Sequence, residues 1–107
     1  MAERKINKLI EEISKFLKSG YEDFRGIYFY GSRARGDYNE DSDYDLVFVF
    51  DREIDWRFKE EIKHIIYRHE DIYDLFIDSK IINSEEIDLE RMPLIINIKR
   101  DGIFYGV

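Results

Sequence analysis

Apolar residues recur at helical spacing near the start of the chain. Ile6, Leu9, Ile10, Ile13, Phe16 and Leu17 form one stripe with charged residues between them. This spacing predicts an amphipathic helix over residues 3–18, with Gly20 where a C-terminal cap belongs. The period then changes. Ile27–Tyr30 is a β-branched and aromatic run that reads as a first strand. Gly31–Tyr38 is polar and punctuated by glycine, a turn with room for a short helix. Asp45–Phe50 is apolar on both faces after its first residue, as a central strand covered from both sides must be. Helical spacing returns from Asp55 to about His69, with Trp56, Ile62, Ile65 and Ile66 facing inward and Asp55 placed as the N-cap. Ile72–Ile77 reads as a third strand. A strand–helix–strand order predicts that the second and third strands run parallel. Pro93 opens a last helix to about Arg100, Gly102 closes it, and Ile103–Tyr105 is a final short strand. The pattern describes an α/β (α+β) fold: a small mixed sheet flanked by helices, in one domain over residues 1–107.

Composition narrows the classes. The chain has 107 residues, enough for one domain, and 44% hydrophobic with 38% charged residues describes a packed core under an ionic surface. It contains no cysteine, which excludes disulfides and thiolate metal sites. The net charge of −7 repels a nucleic-acid backbone, so direct binding to DNA or RNA is not expected. A small nucleotide held through metal ions stays open, because the ion reverses the local sign. No apolar run approaches a membrane span, and the charged N-terminal segment has no signal-peptide core. A cytoplasmic location is expected, with homo- or hetero-oligomers both open.

The chemistry concentrates in "YGSRARGDYNEDSDYDLVFVF", residues 30–50. Gly31 and Gly36 are spaced as in a P-loop, but Asp37-Tyr38 stands where Lys-Ser/Thr is required. Asp37, Asn39 and Asp41 imitate an EF-hand, but Ser42 and Phe48 occupy the positions that need Gly and a bidentate Glu. Both readings fail. What remains is Gly31-Ser32, a spacer of ten residues, then Asp43-Tyr44-Asp45. Strand alternation puts Asp43 and Asp45 on one face. Two such carboxylates repel unless a cation lies between them, and oxygen ligands suit Mg²⁺ or Mn²⁺ together with substrate phosphates. On the third strand Asp74 is the preferred partner, since Asp71 precedes that strand and Asp78 follows it. A third carboxylate would hold a second metal or take a proton. Gly31 allows close backbone approach, Ser32 offers a hydroxyl, and N–H groups of a following short helix would receive a phosphate. Arg33 and Arg35 suit a clamp on a triphosphate, or equally surface pairing with Asp37, Glu40 and Asp41. His64 and His69 lie five apart on the predicted helix and read as packing, as do Tyr38 and Tyr44.

Gly31, Ser32, Asp43, Asp45 and Asp74, with Ala-Arg-Gly at 34–36 and Ser-Asp at 42–43, resemble the pattern of the minimal nucleotidyltransferases of the polymerase-beta-like superfamily. The order of elements extends the resemblance over nearly the whole chain. It implies the polymerase-beta-like nucleotidyltransferase core, phosphate binding at Gly31 and Ser32, Mg²⁺ at Asp43 and Asp45, and ATP as substrate, with Asp74 completing the site. Small stand-alone members are similar to the antitoxins of HEPN–MNT toxin–antitoxin pairs, which in some systems add AMP to a tyrosine of a HEPN ribonuclease. The resemblance therefore implies transfer of a nucleotide to a hydroxyl of a HEPN partner. Two rivals remain: a protein that inhibits its partner by contact alone, and a sensor that binds ATP without transferring it.

Overall fold

The structure, a computed structural model, describes residues 2–106. Its elements are α1 (Ala2–Gly20), β1 (Phe24–Tyr30), α2 (Gly31–Arg35), β2 (Tyr44–Phe50), α3 (Trp56–Tyr73), β3 (Ile77–Asn83), α4 (Ser84–Leu89), α5 (Pro93–Asp101) and β4 (Ile103–Gly106). The four strands lie in the order β3-β2-β1-β4. β1 runs antiparallel to β2 and β4, and β2 runs parallel to β3. The mixed sheet and the parallel crossover through α3 agree with the sequence pattern.

Strand β2 is apolar on both faces because both are covered. Leu46, Phe48 and Phe50 pack with Ile6, Leu9, Ile10 and Ile13 of α1 and Phe58, Ile62 and Ile66 of α3. Val47 and Val49 pack on the other face with Ile87 of α4 and Ile95 and Ile98 of α5. Phe50 is fully buried, and its ring centre lies 5.9 Å from Tyr21, 5.2 Å from Phe24 and 4.9 Å from Phe58. Among the described residues no helix is long and apolar enough to cross a membrane.

Three expectations change. Trp56 does not face inward: it is 70% exposed, and Phe58 takes the buried place one turn inside the N-cap. Residues 72–76 are not a strand. α3 continues to Tyr73 because Ile62, Ile66 and Tyr73 keep a helical spacing against the same core. Asp74 then ends the helix in the left-handed conformation, φ 53° and ψ 52°, its N–H donating to the Glu70 carbonyl. An aspartate tolerates that conformation better than most side chains. The third strand is therefore displaced to Ile77–Asn83. Finally, α4 was not expected. Asn83 caps it through its side chain, which accepts from the Glu85 N–H at 3.2 Å.

Two stability effects follow. Asp55 accepts from the Phe58 N–H at 2.8 Å as the N-cap of α3, so Asp55→Ala should cost about 1 kcal/mol. Phe50→Ala should cost about 3–5 kcal/mol, the range for removing a buried aromatic. Chemical denaturation of both variants checks the order; a smaller loss for Phe50→Ala than for Asp55→Ala would contradict the described core.

Candidate active site

Strand register brings one row of side chains to the end of the sheet where β1 finishes and β2 and β3 begin. Tyr30 pairs with Asp45 across the antiparallel ladder, and Asp45 pairs with Asp78 across the parallel one. Alternation along β2 turns Tyr44 and Leu46 into the α1–α3 layer. Asp45 consequently shares the opposite face with Val47 and Val49. Asp43, just ahead of the strand, is exposed at the mouth.

Gly31 begins α2 directly after Tyr30, with φ +81°. A Cβ built on Gly31 would lie 2.0 Å from Oδ2 of Asp45 and 3.0 Å from its Cγ. No other residue fits: the left-handed backbone disfavours a side chain and the carboxylate fills its place. The glycine-serine turn and the second aspartate of the motif, separated in sequence, are thus one packed unit. Ser32 closes the short helix, its carbonyl accepting from the N–H groups of Gly36 at 2.9 Å and Asp37 at 3.1 Å.

The electrostatics of the row follow from burial and like charge. Burial raises the Asp45 carboxyl above its usual range; the Asp78 charge, a hydrogen bond shared with Asp78, and Asp43 act in the same direction, while Lys80 opposes them. Lys80 sits on the same face of β3, 3.6 Å from Oδ2 of Asp78. Burial works against its charge, but a hydrogen bond to Tyr30 and the Asp78 carboxylate outweigh it and hold the ammonium above its ordinary value. Burial also raises the Tyr30 phenol.

The donor set is carboxylate oxygen throughout. Among the described residues no three His, Cys, Asp or Glu side chains close around a single point. Adjacent carboxylates on a partly buried face do fit Mg²⁺, which is held by one or two carboxylates and takes its remaining ligands from water and substrate phosphate.

The sequence-predicted residues divide into two groups. Gly31, Ser32, Asp43 and Asp45 come together at this end of the sheet. Asp74 does not join the row: it caps α3, and with Asp43, Leu75 and Phe76 it lines a separate shallow cavity of about 470 Å³. The residue opposite Asp45 is Asp78. Arg33 donates from Nε to the Ser42 carbonyl at 3.0 Å and from a terminal nitrogen to the Glu40 carbonyl at 3.2 Å. Its guanidinium lies 4.1 Å from the Tyr38 ring centre and 4.6 Å from that of Tyr44. Arg33 therefore clasps the 37–43 loop. Arg35 pairs with Asp37 at 3.2 Å on the surface. Sequence reasoning missed Tyr30, Asp78 and Lys80. For Asp78 a signal existed: Asn83 with Glu86 three residues later is a capping pattern that places the strand end at Asn83. For Tyr30 and Lys80 only the register reveals the contact.

Residues 10–105 match the family model of the nucleotidyltransferase domain. No curated protein matches the sequence. A protein from Sulfolobus solfataricus assigned as a nucleotidyltransferase superposes with a TM-score of 0.61 at 25% identity, over 97% of this chain and 84% of that one. A chain of a toxin–antitoxin structure with AMP-PNP gives 0.60 at 19% identity, over 100% of this chain and 75% of that one. A chain of the tri-AMPylated HEPN toxin from Shewanella oneidensis in complex with its MNT antitoxin gives 0.57 at 15% identity, over 94% and 72%. The last two likenesses concern the fold. With the family model spanning residues 10–105, nearly the whole chain, the protein belongs to the nucleotidyltransferase domain family.

Proposed function

We propose that the protein transfers a nucleoside monophosphate, AMP from ATP, to a hydroxyl of a partner protein, and that it acts as the antitoxin of a HEPN-family toxin. The observation that supports transfer is the packing of the Gly31 turn on Asp45, in a row that continues to Asp78. The antitoxin role draws on the shared fold with chains of toxin–antitoxin complexes, one containing AMP-PNP and one an AMPylated HEPN toxin.

In this reading Asp43 and Asp45 would hold Mg²⁺. A divalent cation bound there neutralises the triphosphate and stabilises the pyrophosphate that leaves. The Gly31-Ser32 turn supplies backbone N–H groups and a hydroxyl for the phosphates. The acceptor oxygen attacks the α-phosphorus, the bond from that phosphorus to the oxygen bridging to the β-phosphate breaks, and pyrophosphate departs. Asp78, at the exposed end of the row, takes the hydroxyl proton. Lys80 holds Asp78 in place through their ion pair. The third carboxylate of this proposal is Asp78 and not Asp74.

Incubation with Mg²⁺ and ATP labelled at the α- or the γ-phosphate, with a HEPN partner, tests the reaction. Label from the α-position alone is expected on the partner; γ-label would mean phosphoryl transfer and overturn the reading. Complex formation without label would favour inhibition by contact. Asp43→Asn, Asp45→Asn and Asp78→Asn should each lower transfer by about 10²–10³-fold, the usual loss on removing a group that stabilises developing charge. Asp74→Asn should lose far less, and the reverse order would restore Asp74 to the site. Gly31→Ala should cost about 1–2 kcal/mol from its left-handed backbone alone and weaken Mg–ATP binding by displacing Asp45. Denaturation and calorimetry check the two effects; wild-type nucleotide affinity in Gly31→Ala would sink the packed-unit argument.

A further inference from the structure

Phe76 is 76% exposed although its backbone is held on several sides. Its carbonyl accepts from the Tyr44 N–H at 3.0 Å, between the two motif aspartates. The next residue, Ile77, donates its N–H to Oε2 of Glu70 at 2.8 Å, and the preceding Leu75 donates to the Glu70 carbonyl at 3.2 Å. The Glu70 carboxyl that makes this bond is raised by burial and by the charges of Asp71 and Asp43. Leaving such a ring in water forgoes the stabilisation that burying it would give. A fixed backbone that presents an exposed ring beside a reaction centre has the form of a binding anchor.

The surroundings say what the anchor would meet. Phe76 lies between two shallow cavities, the one that reaches Asp43 and another of about 350 Å³ that it lines with Tyr67 and Leu75. Glu40, Asp41, Asp43, Glu70, Asp71 and Asp74 border them. Lys5 and Arg33 border the first, but Arg33 is committed to loop carbonyls. The second has no cation among its lining residues. Glu40, Asp41, Glu70, Asp71 and Asp74 make this lip unfavourable to a triphosphate, which in the proposed reading is held by Gly31 and Asp45. The lip complements a segment that carries basic residues around an apolar one.

We infer that the Phe76 lip, with Tyr67 and Leu75, is the docking surface for the acceptor: a basic segment of the partner protein whose apolar side chain covers Phe76 and whose hydroxyl enters past Asp43. The acceptor role rests on the nucleotidyl-transfer reading; the surface itself rests on exposure and charge.

Two fluorescent peptides test it by anisotropy, Lys-Lys-Leu-Tyr-Lys-Lys and Glu-Glu-Leu-Tyr-Glu-Glu, with the full chain and its variants. The basic peptide should bind wild type, weaken at high salt, and lose about tenfold in affinity with Phe76→Ser, as expected for one aromatic anchor. Asp71→Lys should weaken it similarly, and Phe76→Trp should restore it. Equal binding by Phe76→Ser and wild type, or equal binding of both peptides, would overturn the inference. So would sedimentation showing a dimer that Phe76→Ser dissociates, since a second copy would then cover the lip. Calorimetry with Mg–ATP separates the two readings. Equal nucleotide affinity in wild type and Phe76→Ser is expected. Nucleotide binding with peptide affinity indifferent to Phe76 sinks the docking surface alone. Peptide binding through Phe76 without nucleotide binding sinks the transfer reading alone.

Discussion

The site depends on one close approach, that of the Asp45 carboxylate to the backbone of Gly31. β2 is the strand the whole fold is built around, covered on both faces by helices, and its second residue is a charge. That charge is tolerated because the adjoining chain has no side chain at the point of contact. The carboxylate reaches the start of α2, where helical N–H groups lack internal acceptors. Tyr30 and Asp78 flank it on the neighbouring strands, and Lys80 offsets part of the negative charge from behind. A side chain in place of the glycine would strain the turn and push the carboxylate aside.

Most of the architecture was legible in the residues. Period four-and-three marks α1 and α3, an unbroken apolar run marks β2, and Pro93 and Gly102 bracket α5. The turn and its two aspartates were legible as well, because their spacing has few other uses. The failures share a physical origin. In "HEDIYDLFIDSKIIN" both periods are present, and sequence alone cannot decide where helix gives way to strand. The core decides it: Tyr73 still packs with the α3 stripe, so the helix runs on and Asp74 becomes its cap. A shift of the strand start by five residues moves the partner of Asp45 from one aspartate to another. Trp56 misled for a simpler reason. It is the first residue of α3, about 200° around the helix from Phe58, and Phe58 is the one on the inward stripe with Ile62 and Ile66.

Charge is arranged on the two faces of β2 in opposite ways. On the Asp45 face the acids are mixed with Lys80 and with the amide-rich start of α2. Near Tyr44, on the other, acids from the 37–43 loop and the end of α3 surround apolar side chains. Arg33 clasps the loop carbonyls and stacks on Tyr38 and Tyr44, and so fixes the 37–43 loop. A residue that looks from composition like a phosphate clamp here holds a loop in place, which shows how weakly an arginine's role follows from its neighbours in sequence.

The mixed direction of the sheet also orders events in time. Gly31 directly follows β1 and Asp45 lies on its antiparallel neighbour β2, so their contact closes a short span of chain. Asp78 arrives by a parallel crossover that must wait for all of α3 and β3. Local pairings form ahead of distant ones, because loop closure costs entropy before contacts repay it. On the ribosome, then, the turn and its first carboxylates can assemble while the C-terminal part is still in the exit tunnel. The row is completed only when β3 has emerged and found the far edge of β2.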